Sequence, residues 1–408
     1  MTPEVKERIE QIRHGNVPEG YKKGKYNVMP LGWSEEALSN LSDNITKGAT
    51  PTTYGYTWVN DGVLFLKSDC VSDNGFVNRE PVYISEDAHK MMNRSVVRAG
   101  DILISITGYL GKVGLVPSYI KEANINQHIA RVRPLEDRCN PAFVYYYLDT
   151  NPIKRWFDVI QTGQAYSQLS LEQIREIKVP VPQITEQQRI AEILTAQDKV
   201  IELKEKRLAE KQRQKKYLMQ QLLTGKKRLP GFDGKWNLKK ISDISTYKAS
   251  SITANSLETY SGDEIYPVHD ANSIFRYVDF YESKEAYVSI VKDGAGAGRV
   301  ALAAANSSVI GTMGYLYPTG QILVEYLYYF LASIDFSKYC NGSTIPHVYY
   351  KDYSLEKILL PCIKEQEQIV KVLAAADKEI DLLCQDLEQE KQKKKALMQL
   401  LLSGIVRV

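Results

Sequence analysis

Cysteine is scarce and scattered in this chain. It has five in 408 residues (Cys70, Cys139, Cys340, Cys362 and Cys384) and no CxxC pair. An odd, dispersed set argues against a disulfide framework or a zinc site and fits a reducing compartment. Long apolar runs are missing as well. None reaches the roughly 18 residues of a membrane span, and the opening MTPEVKERIEQIRHG is polar, so neither a span nor a secretion signal is expected. Charge of one sign is not in excess either: 52 basic and 49 acidic side chains leave +3. A self-sufficient DNA binder, gripping many phosphates, would carry more. Catalytic signatures are absent too. An adenine methyltransferase needs an [NDS]-PP-[YFW] loop for the flipped base. Asn151-Pro152-Ile153-Lys154 is the nearest match and fails at the second proline. No PD…(D/E)xK nuclease pattern can be assembled. The glycine loop DGAGAGRV (293–300) lacks the Gly-Lys-Ser/Thr ending of a phosphate loop, so a tight turn is expected there.

What is present is a stretch that occurs twice. Residues 182–228 (PQITEQQRIAEIL…KYLMQQLLTGKKR) align without a gap on 361–407 (PCIKEQEQIVKVL…KALMQLLLSGIVR) at a shift of 179, with 21 of 47 pairs identical. Ile190, Leu194, Ile201, Leu208, Leu218 and Leu222 in the first copy, with Ile369, Leu373, Ile380, Leu387, Leu397 and Leu401 in the second, keep heptad spacing. Neither run contains Pro or Gly before Gly225 and Gly404, which suit helix C-caps. Each copy therefore predicts a helix of roughly 40 residues, about 60 Å long. Its narrow apolar stripe needs a partner helix, and the other copy is the obvious one.

Between these copies the chain reads as β-rich. Strand candidates are 62–68, 101–108, 112–117 and 128–134 in the first half, and 264–270, 286–292, 299–305 and 313–318 in the second. Landmarks recur in order: Trp33 and Trp236 open the two segments, glycine loops follow (106–114 and 293–301), and then aromatic helices FVYYYL (143–148) and YLYYFL (326–331). Consecutive tyrosines on a helix point in different directions, which favours core packing over base stacking. The expected division is a lead-in (1–30), a first domain (31–181), a long helix (182–228), a second domain (229–358) and a second long helix (359–408). Charge is uneven across it. Residues 182–228 carry 12 basic and 6 acidic side chains, whereas 359–408 carry 8 of each. Charge reversal at Lys211, Arg213, Lys215 and Lys216 is therefore expected to weaken binding more than reversal at Lys391, Lys393, Lys394 and Lys395.

This order resembles the specificity (S) subunit of Type I restriction–modification systems. The marks are P-x-x-x-E-Q and Leu-Leu-x-Gly at the ends of both helices, the GDILIS-ITG-LGKVG run (100–114) and the PGF-G-W junction (230–236). The resemblance covers nearly the whole chain. It implies an α+β fold with two β-rich target recognition domains, separated and connected by two long antiparallel helices in a coiled coil, as a pseudo-twofold internal repeat. It implies that each domain reads one half of a split double-stranded DNA target. The helices would hold the gap and dock two modification (M) subunits. The chain itself would be non-catalytic and cofactor-free; M subunits would bind S-adenosylmethionine, and restriction (R) subunits, where present, ATP and magnesium. The setting would be the bacterial or archaeal cytoplasm. A related combined restriction–methylation system, or a coiled-coil scaffold that reads no DNA, are the alternatives.

Base readout needs side chains with donors and acceptors on loops of a firm scaffold. The candidates in the first domain are Lys67, Ser68 and Asp69; Thr107, Tyr109 and Lys112; Asn126, Gln127 and His128; and Gln164, Tyr166, Ser167 and Gln168. In the second they are His269, Asp270 and Asn272; Lys292 and Arg299; Thr312; and Ser343, Thr344 and His347. The bland alternative is that each is a solvated loop residue.

Overall fold

The computed structural model describes residues 2–408 except 79, 162–166, 259, 261 and 343. The chain forms two compact units, residues 1–203 with 387–408 and residues 204–386. The long helices are Ile184–Leu222 and Ile363–Leu401, 39 residues each. Each runs through both units, so each unit owns the first half of one helix and the second half of the other. Within the first unit Gln197 donates to Glu390 and Lys394 pairs with Asp198. Within the second, Lys204 pairs with Asp386, Lys211 with Glu379 and Lys215 with Asp377. In the second unit rising numbers on one helix meet falling numbers on the other, and in the first Glu186 meets Arg407 while Asp198 meets Lys394, so the halves are antiparallel in both units. Both helices end on a left-handed glycine, Gly225 (φ 69°) and Gly404 (φ 67°), the conformation that costs glycine least.

The residues shared by the two copies are the joints of the fold. In the first unit the Glu186 carboxylate, 6% exposed, accepts from the indole N–H of Trp33 (3.2 Å) and the Nη2 of Arg407 (2.7 Å). In the second, Glu365, 1% exposed, accepts from Trp236 (2.9 Å) and twice from Arg228 (2.6 and 2.8 Å). Beside it, Gln187 accepts from the Asn140 N–H and donates to the Pro182 carbonyl, both at 2.9 Å. Gln366 does the same with Leu323 N–H and Pro361. The P-x-x-x-E-Q start is thus a clamp that fixes the helix to its globular segment. The apolar seam completes it. Ile190 and Leu194 share a core with Leu401 and Leu402, and Ile369 and Leu373 share one with Leu222 and Leu223. Ile201, Leu208 and Ile380, nearer the helix middles, are half-buried, and Leu387 is buried.

Each globular segment carries a four-stranded antiparallel sheet in the same order. In the first it runs Val113–Leu115, Ile102–Ser105, Ile129–Pro134, Ser42–Lys47; in the second, Val300–Ala303, Tyr287–Val291, Met313–Pro318, Ser245–Ala249. The second strand of each list is buried at every position, as expected of a continuous apolar run covered on both faces. A second sheet contains a parallel pair, Val63–Leu66 with Ala123–Ile125 in the first unit and Tyr266–His269 with Ser308–Val309 in the second. The aromatic helices, Pro141–Leu148 and Val324–Ala332, pack inward. Tyr145, Tyr146, Tyr147 and Tyr329 are buried, while Tyr328 is half-buried. The Tyr146 hydroxyl donates to Asp198 (2.8 Å) and that of Tyr329 to Asp377 (2.7 Å). Burial, reinforced by those carboxylates, pushes both phenols up, so both remain donors.

Lys394 and Lys215 complete these clusters, lying 5.5 Å over the Tyr146 ring and 5.7 Å over the Tyr329 ring. The uneven charge of the two helices therefore does not reach this pair, which does the same work in each unit. Lys215→Glu and Lys394→Glu are each expected to cost about 1–2 kcal/mol, through repulsion of a partly buried carboxylate. Lys216→Glu, on an exposed face, should stay within about 0.5 kcal/mol. Thermal melts of the three variants check this, and equal Tm values would refute it.

Candidate nucleic-acid interface

In both units the candidate residues gather where strands end. In the first, Ser68–Cys70 form a single tight turn directly after Val63–Leu66. Because that strand runs parallel to Ala123–Ile125, the Asn126 N–H reaches the Leu66 carbonyl (3.2 Å), and Lys67 and Asn126 emerge side by side. Asn126 is 8% exposed, and its Oδ1 accepts from the His128 N–H (3.1 Å). It shapes the turn that presents its neighbours. Gln127 is exposed, and its Oε1 accepts from Thr50 (2.7 Å). Gly48 passes so close that a Cβ there would stand 1.7 Å from the Ile125 carbonyl oxygen.

The central strand Ile102–Ser105 delivers Thr107 to the same edge. Ile106 N–H binds the His128 carbonyl (2.9 Å), and Leu169 N–H binds the Ile106 carbonyl (3.0 Å). Thr107 forms a bridge with Gln168, and its hydroxyl lies 2.5 Å from Nδ1 of His128. Four segments distant in sequence thus place Lys67, Thr107, Gln127, His128 and Gln168 at neighbouring strand ends. Ser167 is half-buried beside Gln168. Tyr109 is 82% exposed in the next turn. Lys112 stands 4.8 Å over its ring and pairs with Asp73 (3.1 Å). Gln164 and Tyr166 lie outside the described residues.

The second unit repeats the wiring with other side chains. Lys292 N–H binds the Thr312 carbonyl (2.9 Å), Val348 N–H binds the Lys292 carbonyl (2.8 Å), and Asp293 bridges to His347. By these bonds Asp293 occupies the place of Thr107, Thr312 that of His128, and His347 that of Gln168. Nδ1 of His347 lies 2.8 Å from Asp293 Oδ1, and Lys292 Nζ is 3.6 Å from Oδ2 of the same carboxylate. Arg299 donates to the Ala271 carbonyl (3.0 Å) and to Asn272 Oδ1 (2.9 Å). Asp270 accepts from the N–H groups of Asn272 and Ser273 and so builds that turn. Burial lowers His269 below the ordinary imidazole range against the pull of Asp270, which favours a neutral ring there. Thr312 and Thr344 are exposed, and Ser343 lies outside the described residues.

The loop 293–300 is a turn, as expected from its lack of a phosphate-loop ending. Ala297 N–H binds the Gly294 carbonyl (3.0 Å), Arg299 N–H the Gly296 carbonyl (2.9 Å), and Gly298 N–H the Val291 carbonyl (2.8 Å). Sequence reasoning passed over Thr50, Asp73, Asp293 and Tyr349. Asp293 sits in a glycine loop whose sequence predicts only a tight turn, and its place beside His347 emerges from the backbone bonds. Tyr349, 48% exposed and stacked at 6.2 Å on His347, carried no sequence signal beyond its aromatic ring.

Comparison with known proteins decides the family. A family model described as Type I restriction modification DNA specificity domain matches residues 31–212 and 233–392. The chain belongs to the Type I restriction–modification DNA specificity family. Among curated relatives it is 28% identical over 167 residues to the Type I restriction enzyme EcoBI specificity subunit of Escherichia coli, a match over 40% of this chain and 34% of that one. The chain thus aligns with about a third of that relative's length. A Methanocaldococcus jannaschii protein, provisionally named the type I restriction enzyme MjaX specificity subunit, is 23% identical over 427 aligned positions, 96% of this chain and 97% of that one. The fold is also that of the Type I restriction–modification S subunit from M. genitalium (TM-score 0.61, 15% identity, 94% of this chain and 98% of that one). The doubled family match coincides with the doubled sheet. No helix among the described residues is long and apolar enough to cross a membrane.

Proposed function

We propose that this chain is the DNA-specificity subunit of a Type I restriction–modification complex and is itself non-catalytic. One observation carries the reading: two units with the same strand order and the same clamp present different polar groups at equivalent strand ends. Thr107, His128 and Gln168 stand where the second unit has Asp293, Thr312 and His347. A constant scaffold with variable edges suits two readers of unlike half-sites. The long helices, uninterrupted over 39 residues, serve as spacer and as docking surface for two M subunits. Those subunits supply S-adenosylmethionine chemistry and much of the phosphate grip that a net charge of +3 does not provide. R subunits bring ATP and magnesium where cleavage occurs, and the complex works in the cytoplasm.

The test is methyl transfer by the purified chain, alone and with its M subunits, on a plasmid library. Transfer should require M and should mark a bipartite motif. Transfer by the chain alone would refute the non-catalytic reading. Transfer without any sequence preference in the complex would favour a scaffold.

A further inference from the structure

We infer that Asp293 is a positioning residue that fixes the tautomer of His347, and that His347 then accepts a hydrogen bond from the exocyclic amino group of adenine or cytosine in the half-site read by the second unit. This rests on the specificity reading above and extends it to one atom.

The geometry allows little freedom. A carboxylate oxygen can only accept, and Asp293 Oδ1 lies 2.8 Å from Nδ1 of His347. In the neutral ring the proton therefore sits on Nδ1, and Nε2 is left as an acceptor. The Lys292 ammonium lies 3.6 Å from the other carboxylate oxygen. The ring is held from two further directions. Its backbone is locked because Val348 N–H binds the Lys292 carbonyl and Gly294 N–H binds the Pro346 carbonyl. Its face stacks on Tyr349 at an interplanar angle of 15°. The His347 side chain is 36% exposed, and Nε2 has no hydrogen-bond partner among the described residues. An oriented acceptor at an accessible edge matches the major-groove amino groups, N6 of adenine and N4 of cytosine, and mismatches the O6 and N7 acceptors of guanine.

The first unit shows why this belongs to Asp293 and not to histidine in general. There the equivalent residue is Thr107, and its hydroxyl meets a histidine from a different strand end, His128, again at Nδ1. A hydroxyl donates or accepts, so it leaves the His128 tautomer open. The position after the central strand is thus an orienter in both units, but only the carboxylate dictates one outcome.

With five histidines in the chain, imidazole nitrogens labelled with ¹⁵N report the tautomer in the full-length protein. His347, assigned by its loss in His347→Ala, should be the Nδ1–H form in the wild type. In Asp293→Asn the amide can donate to Nδ1, and the ring should move to the Nε2–H form. In the complex with M subunits, Asp293→Asn should lower methylation of the wild-type target by about tenfold or more, the scale of one mismatched base pair. It should shift preference at one adenine or cytosine position toward guanine or thymine, and leave the other half-site unchanged. An Nε2–H ring in the wild type overturns the inference. So does an Asp293→Asn complex whose motif and rate match the wild type, or one that loses both half-sites equally. A wild-type complex with no bipartite preference would instead sink the specificity reading, and this inference with it.

Discussion

Glu186→Ala is expected to lower the stability of the first unit by about 3 kcal/mol, a shift of about 1 M in the urea midpoint. The loss has two parts. The indole N–H of Trp33, a side chain 1% exposed, would lose its acceptor and stay buried, which costs about 1–3 kcal/mol. The Arg407 guanidinium would lose a charge-assisted pair. Its side chain is 50% exposed, so water recovers part of that energy. Glu186→Gln keeps an acceptor for the indole and loses only the charge, so it should cost about 1 kcal/mol. Trp33→Phe with Glu186→Ala closes a double-mutant cycle, and a coupling near zero would show that the carboxylate is not the joint described. Glu365→Ala probes the same joint in the second unit through Trp236 and Arg228.

That joint shows how far the sequence could be read. The identical pairs Glu186/Glu365, Asp198/Asp377, Lys215/Lys394 and Arg228/Arg407 were visible as a repeat. What they bind was not, because Glu186 and Arg407 are 221 residues apart. The constant shift holds the reason. If position 186 of one copy meets position 228 of the other, both helices must keep both residues. The strands were legible as apolar runs, and most were shorter than drawn. Ile102–Ser105, for example, lies inside the stretch 101–108, because glycine and polar neighbours break the ladder.

The candidate residue types can be read in the sequence; their arrangement cannot. The parallel pairing of Val63–Leu66 with Ala123–Ile125 is what sets Lys67 beside Asn126, and no local pattern announces a parallel neighbour sixty residues on. The exchange of Gln168 for His347 at one strand-end position likewise emerges only from backbone bonds to Ile106 and Lys292. Sequence alignment of the glycine loops set Lys112 over Arg299 correctly, since Ser105 N–H and Val291 N–H bind the carbonyls of those two residues at 2.9 Å.

Gly298→Ala is expected to cost about 3 kcal/mol, whereas Gly294→Ala, four residues earlier in the same loop, should cost only about 1 kcal/mol. Both glycines have positive φ, 88° and 96°, where an L side chain is strained by about 1–2 kcal/mol. They differ in what a methyl group would meet. At Gly294 nothing lies within 4 Å; at Gly298 the new Cβ would stand 2.3 Å from Phe336 Cβ. Phe336 is 6% exposed and belongs to the core of the second unit, so relief requires moving a packed ring or the loop. The loop is the softer of the two, and it carries Arg299 and, through the Gly298 N–H bond to Val291, the end of the central strand. Gly298→Ala should therefore also weaken readout by the second unit while sparing the first, a combination that pure destabilisation would not produce. Gly111 is the control. It has φ 70° and its Cβ would stand 2.7 Å from a Phe157 ring carbon, so Gly111→Ala should reverse the pattern and impair the first half-site alone. Equal melting temperatures for the alanine variants at 294 and 298 would refute the packing argument. A Gly298→Ala complex that reads both half-sites normally would refute the coupling of this turn to the interface.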